Sequence, residues 1–237
     1  MRILVVSQYF WPETFRVNEI VEHLCSKGHD VTVLTGPPNY PAGDIFPEYL
    51  ADPGKFASYA GARIVRIPCL PRGQSSLRLI MNYVTFALSG ATAGAWRLRR
   101  QPFDAALVFQ VSPVTSAIPA LVQRWLKGVP VSMWILDLWP ETLKAVGVLR
   151  NERGLALVGR VVSAIYRRCD HILVQSRAFV PSVKRYGGDD ADVRYFPAWV
   201  EGVFEDAAEP EVAPELAPYG DAFNILFAGN IGEAQDF

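Results

Sequence analysis

From residue 3 to residue 196 the chain repeats one pattern, a short apolar run followed by a longer stretch with helical spacing. The runs lie at 3–7, 31–35, 63–67, 105–109, 131–136, 171–175 and 193–196. They are near-continuous in Val, Ile and Leu rather than alternating with polar residues. That is the pattern of strands covered on both faces, and so of a parallel sheet. The intervening stretches predict helices. One runs from about residue 15 to 27 and stops at Gly28, a residue suited to the left-handed position past a helix end. A second is predicted to start at Ser112-Pro113, an N-cap followed by proline at the first helical position, and to end at Gly128. A third follows Asn151 and reaches about Arg168. Alternation of this kind argues an α/β domain on a doubly wound, mostly parallel, Rossmann-like sheet.

Composition changes near residue 198. Glu, Ala and Pro dominate 198–223, where Pro210, Pro214 and Pro218 stand four apart, and the segment reads as an interdomain linker. Residues 224–232, NILFAGNIG, then read as a fresh strand running into a glycine turn. The expected organisation is therefore a domain over 1–197, a linker over 198–223 and the cut-short start of a second domain over 224–237.

Charge divides at nearly the same place. All 23 Lys and Arg but only 15 of the 24 acids precede residue 201, so the body carries +8 and the tail -9 within a chain of net charge -1. A basic body suits an anionic partner; equally, it is a mildly basic surface beside a solvated acidic linker. No nucleic-acid partner is expected. Cys25, Cys69 and Cys169 are isolated, without CxxC or metal-ligand spacing, which fits buried thiols in a reducing compartment. The first apolar run ends at Val6, and Glu13 and Arg16 soon follow, so no secretory signal is predicted and the cytoplasm is the expected compartment.

Residues 79–96 hold no charge between Arg78 and Arg97, a length that could cross a bilayer. Asn82, Ser89, Gly90, Thr92 and Gly94 make them weakly apolar. A helix that is buried or lies on a membrane is the expectation, with an arginine-rich end suited to anionic headgroups.

In a parallel α/β sheet, ligands sit beyond the carboxyl ends of the strands, so the loops there carry the candidates. After the first strand comes QYFWPETFRVNEI, in which Glu13, Arg16 and Asn18 stand at a helix start behind three aromatic residues. It lacks the GxGxxG fingerprint, which argues against a nicotinamide cofactor, but such a loop could hold a sugar or a phosphate. It reads equally as a hydrophobic turn packed on the sheet. After the second strand, TGPPNYPAGDIFPEY is a proline-stiffened excursion offering Asn39 and Tyr40. After the fifth, WILDLWPET places Asp137 between Trp134 and Trp139, with Glu141 opening the next helix. A carboxylate there could bind or deprotonate a sugar hydroxyl; the same acids could simply cap the helix. Arg153, Arg160 and Arg167 recur every seven residues along a predicted helix, as a stripe for anionic lipid or pyrophosphate or as a solvated face. His23, His29 and His171 form no catalytic constellation, and no metal-ligand set is visible.

Taken together, MRILVVSQYFWPET, TGPPNYPAGDIFPEY, LDLWPET and FAGNIGEAQDF resemble family 4 glycosyltransferases of the GT-B fold. The nearest subgroup by resemblance is that of the N-acetyl-L-fucosamine transferases of bacterial surface-polysaccharide assembly. The resemblance spans essentially the whole chain. It implies two Rossmann-like domains facing across a cleft, the first binding a polyprenyl-linked or saccharide acceptor and the second a nucleotide-sugar, taken as UDP type. It further implies retention of anomeric configuration without an obligatory metal or other cofactor. On the matching motif, Gly229, Asn230 and Gly232 become the turn at the donor's diphosphate, where absent side chains let backbone N–H groups approach. Asp137 becomes the cleft-facing residue at the transferred sugar, although many relatives carry histidine in this region. Two departures stand out: YFWPET replaces the double-glycine loop after the first strand, and the two-glutamate donor signature would fall beyond Phe237. A chain ending there is expected to be inactive alone. A docking domain derived from such an enzyme is the alternative.

Overall fold

The computed structural model describes residues 1–200 and, beyond them, Pro214, Pro218, Gly220, Ala222, Phe223, Ile225 and Phe227. The predicted diphosphate turn at Gly229, Asn230 and Gly232, and most of the predicted linker, lie outside the described residues. The chain separates into a body, Met1–Phe196, and a second unit, Pro197–Phe237.

The body alternates strands and helices in chain order: β1 (Arg2–Ser7), α1 (Arg16–Ser26), β2 (Asp30–Thr35), α2 (Pro47–Ala51), β3 (Ser58–Tyr59), β4 (Ala62–Arg66), α3 (Ser76–Ser89), α4 (Ala95–Leu98), β5 (Ala105–Gln110), α5 (Ile118–Lys127), β6 (Val131–Ile135), α6 (Glu141–Ala145), α7 (Glu152–Tyr166), β7 (His171–Val174), α8 (Val180–Gly187) and β8 (Val193–Tyr195). One sheet takes all eight strands in the order β3-β4-β2-β1-β5-β6-β7-β8. Every pairing is parallel except β3 with β4. Each of the seven strands expected before residue 197 is present, and the one expected within 224–232 lies mostly outside the described residues; β3, two residues long, had no apolar run to announce it.

Strand order reverses at β1. The chain winds from β1 through β2 to β4 on one side and, through α3, α4 and β5, to β8 on the other. Right-handed crossovers then put α1 on one face of the sheet and α3, α5, α7 and α8 on the opposite face. Packing agrees, since α1 meets β2 and β4 whereas α5 meets β1, β5 and β6. The larger core lies on the second face, where Leu4, Val6, Val108, Met133 and Ile135 are buried under Phe86, Val162 and Ile165.

Local chemistry sets the helix ends. Asn151 caps α7 by accepting from the Arg153 amide at 3.0 Å, and Ser75 caps α3 by accepting from the Arg78 amide at 3.3 Å. Gly128 ends α5 at φ 71°, in the left-handed region. The predicted start at Ser112-Pro113 needs correction. Pro113 itself occupies the cap of a 3-10 turn, Val114–Ala117, and α5 begins only at Ile118. Ser112 instead points its hydroxyl at Tyr83.

The uncharged stretch at 79–96 is helical. A π turn, Gly90–Gly94, joins α3 to α4. A Cβ at Gly90 would stand 2.3 Å from Pro119 Cγ, so only glycine lets this run approach α5 so closely. Among the described residues no helix is long and apolar enough to cross a membrane.

Candidate functional site

The switch point between β1 and β5 is where a doubly wound sheet opens a crevice, at the carboxyl ends of its strands. Four loops meet there, following β1, β2, β4 and β6. Each holds its shape through buried polar contacts, and those contacts decide which predicted residues remain available.

Glu13 is 3 % exposed. Its Oε2 accepts from the Phe10 amide at 3.0 Å, and its Oε1 accepts from the amides of Asn39 at 2.8 Å and Tyr40 at 2.7 Å. Burial pushes this carboxyl's pKa up, and the three N–H donors pull against that. The carboxylate is thus spent on the backbone, and what it does in the structure is tie the loop after β1 to the loop after β2. Asn39, also buried, continues the chain of contacts. Its Nδ2 donates to the Pro37 carbonyl, and its Oδ1 accepts from the Arg72 amide, both at 2.8 Å. Asn18 donates from Nδ2 to the Glu13 carbonyl at 2.8 Å and holds the start of α1, which has no side-chain cap. Arg66, at the end of β4, fastens the same loops from below, donating to the carbonyls of Gly36 at 2.6 Å and Trp11 at 2.5 Å. Gly43, at φ 94°, lets the β2 loop touch the backbone at Gly73, whose amide donates to the Gly43 carbonyl at 2.8 Å.

The wall these contacts build is aromatic. Tyr40 packs on Tyr9 at 5.4 Å and on Phe15 at 5.1 Å between ring centroids, and Arg72 lies over the Tyr40 ring at 5.3 Å. Such a face, apolar with polar tips, suits the CH-rich side of a sugar ring. Arg16 is half-buried at the start of α1.

α3 supplies the next side of the crevice. Asn82, 1 % exposed, accepts at Oδ1 from Gln8 Nε2 at 2.5 Å and from the Tyr9 hydroxyl at 3.2 Å, and its Nδ2 donates to the Leu70 carbonyl at 2.5 Å. Tyr83 follows it, with its ring 6.5 Å from that of Trp139. Burial raises the Tyr83 pKa, and the negative charge of Asp137 adds to that; burial likewise raises Tyr9. Both phenols therefore stay protonated; Tyr9 gives its proton to Asn82, and Tyr83 is the one placed to donate to a ligand.

Across from them stands Asp137, half-buried in the turn after β6. Burial raises its pKa, and among the described residues its carboxylate has no hydrogen bond or ion pair. A carboxylate that is desolvated, unpaired and at a strand's carboxyl end is well disposed to take a proton or hold a hydroxyl. Glu141 opens α6 but turns aside, its Oε1 accepting from Ser182 Oγ of α8 at 2.5 Å. The structure therefore gathers Asp137, Tyr83, Tyr9, Tyr40 and Arg72 around the crevice, braces it with Glu13, Asn18 and Asn39, and sends Glu141 toward α8.

Several contributors were not picked out from sequence. Asn82 and Tyr83 sit in the stretch read for its hydropathy, and Arg72 in a proline-rich connection. Gln8 and Gln110, next to each other in register beyond β1 and at the end of β5, are buried with amide atoms left unpartnered. Arg153, Arg160 and Arg167 are exposed along α7, and His171 Nδ1 pairs with Asp192 at 2.7 Å. Among the described residues no three His, Cys, Asp or Glu side chains converge as a metal-ligand set.

The fold of this body is shared with glycosyltransferases of known structure. Sucrose-phosphate synthase from Thermosynechococcus elongatus superposes with a TM-score of 0.57 at 13% identity, over 83% of this chain and 47% of that one. The glycotransferase of kitacinnamycin gives 0.52 at 15% identity, over 90% and 55%. TcCGT1, solved in complex with UDP, gives 0.51 at 10% identity, over 92% and 54%. Among curated proteins, WcaI of Escherichia coli (strain K12), named as a colanic acid biosynthesis glycosyl transferase, is 27% identical over 99% of this chain and 60% of its own length. The chain thus spans well under two thirds of that relative. Residues 14–199, from just before α1 to just past β8, match the family described as "Glycosyl transferase 4-like domain", and the chain belongs to that family.

Proposed function

We propose that this chain is the acceptor-binding half of a retaining, sugar-nucleotide-dependent glycosyltransferase of polysaccharide or lipid-linked oligosaccharide assembly. The observation that carries the reading is Asp137, an unpaired carboxylate with a raised pKa facing Tyr83 at the switch point of a family member's sheet. In this reading the acceptor sugar stacks on Tyr40, which Tyr9 backs from within the wall. Asp137 accepts a hydrogen bond from the hydroxyl that will attack the donor, and so turns its lone pair toward the donor carbon. The Tyr83 phenol donates to another of the acceptor's oxygens, while the Tyr9 hydroxyl stays bound to Asn82.

The donor half is proposed to bind a UDP-linked hexose or N-acetylhexosamine, with Gly229, Asn230 and Gly232 at its diphosphate. Resemblance to the N-acetyl-L-fucosamine transferases supports the amino sugar, and the UDP held by TcCGT1 supports the nucleotide. The proposed setting is the cytoplasm, at the inner face of the plasma membrane. With one wall of the cleft, the 237-residue chain should bind acceptor without turning over donor. Saturation-transfer NMR of this chain with candidate saccharides, beside a radiolabelled transfer assay with UDP-sugars, tests both halves of the proposal. Transfer by this chain alone would refute it. A non-catalytic docking domain is the second reading, and the exposed apolar side of α3 is what favours it. It predicts that no longer form of the protein transfers sugar either.

A further inference from the structure

The helical run from α3 to α4 spends only one side on the fold. Asn82, Phe86, Ala87 and Leu98 are buried, while Leu77, Ile80, Met81, Val84 and Leu88 are between 42% and 70% exposed. At about 100° per residue those five fall within an arc of roughly 100°, a continuous apolar stripe facing away from the core. Trp96 extends it at 66% exposure, and the adjoining α5 adds Trp125 at 81%. A row of this size is rarely left to water.

Charge on the same part of the chain has one sign. Between residues 53 and 136 the single acid is Asp104, against ten Lys and Arg, and Asp104 is already paired with Arg2. Arg78 stands beside the start of the stripe and Arg97, Arg99 and Arg100 at its end, all exposed.

We infer that the outer side of α3 and α4 docks on a bilayer containing anionic lipid, with the apolar stripe in the boundary between headgroups and acyl chains and the arginines at the phosphates. The charge pattern selects the occupant. A second copy placed stripe to stripe would set arginine against arginine, whereas a surface of lipid phosphates is complementary to all of them. The inner side of α3 carries Asn82 and Tyr83 in the crevice, so docking would bring that crevice to the membrane surface. This last step rests on the acceptor reading above; the docking surface does not.

The test is co-sedimentation of the 237-residue chain with phosphatidylcholine vesicles, with and without about a third phosphatidylglycerol. Two variants accompany it: Leu77→Glu with Leu88→Glu, and Arg78→Glu with Arg100→Glu. All four positions are exposed, and circular dichroism checks the fold. Binding to the anionic vesicles is expected to weaken about tenfold or more in the leucine variant. The arginine variant should weaken by roughly fivefold per residue and show a smaller salt dependence, since Arg97 and Arg99 remain. Equal binding to both vesicle types, or wild-type binding by the leucine variant, would overturn the inference. So would dimerisation that the leucine variant abolishes without any vesicle binding. Docking needs no sugar transfer, so vesicle binding by a protein whose longer form glycosylates only soluble acceptors would leave the docking surface standing and remove the membrane-linked acceptor.

Discussion

Replacing Glu13 by alanine tests whether the crevice is held by one buried carboxylate. Three backbone N–H groups at 2.7 to 3.0 Å lose their acceptor at once, in a place where water does not reach Glu13. Each orphaned buried donor costs about 1–3 kcal/mol, and bonds to a charged acceptor lie toward the upper end. Allowing for partial rehydration of the loops, the loss should be roughly 3–6 kcal/mol, a large part of the about 5–15 kcal/mol that holds a domain together. With a urea m-value of about 3 kcal/mol/M, the unfolding midpoint should drop by roughly 1–2 M. Glu13→Gln separates shape from chemistry. Its amide oxygen still serves Asn39 and Tyr40, but its NH2 group meets the Phe10 N–H donor to donor, so about half the loss is expected. Urea titration followed by tryptophan fluorescence gives the free energies. Hydrogen exchange at the Phe10, Asn39 and Tyr40 amides reports on the loops themselves. A loss below about 1 kcal/mol in the alanine variant, with exchange at those amides unchanged, would show that the loops are held by something other than this carboxylate.

Asp137→Asn should show a pH signature. Burial raises the Asp137 pKa, so its contribution to stability is present below the unfolded value and lost as pH rises through the folded one. The asparagine variant should therefore gain in melting temperature on wild type as pH climbs from about 4 to about 7, while acceptor binding by NMR weakens; the opposite sign would place an unseen cation beside the carboxylate. Asn82→Ala removes the shared partner of Gln8, Tyr9 and Leu70 and should cost about 2–4 kcal/mol in urea titrations, with Tyr9 shifted in NMR spectra. Gly90→Ala forces a methyl into Pro119 and should cost about 1–3 kcal/mol by the same titration, whereas Gly28→Ala meets no atom within 4 Å and is strained only through its φ of 80°.

The sheet was legible because burial on both faces leaves a plain mark, unbroken Val, Ile and Leu. Gly28 and Gly128 punctuated it correctly, since a left-handed residue after a helix has one cheap solution. Ser112 misled because Ser-Pro is a frequent helix start, and nothing local reveals that Tyr83 lies within reach. The site was legible in its loops and less so in its roles. The position of Asp137, just past a strand's carboxyl end, could be read directly. Glu13, also an acid at a helix start, reads the same in sequence, yet two of its partners lie 26 and 27 residues further on. Arg72 and Tyr83 needed the fold itself, because they come from a proline-rich connection and from a weakly apolar helix read only for its hydropathy.

The loops after β1, β2 and β4 are not three independent parts. Glu13 spans the first two, Arg66 grips both, and Asn39 passes the contact to the third. In an engineered or natural recombinant they are therefore inherited together. A donor sequence for 36–46 inserted without its own 8–18 and 66–73 would arrive with amides that find no carboxylate. Acceptor preference in relatives sharing this brace should accordingly change in whole-wall steps, or by single side chains such as Tyr40 that face outward from it, rather than one loop at a time.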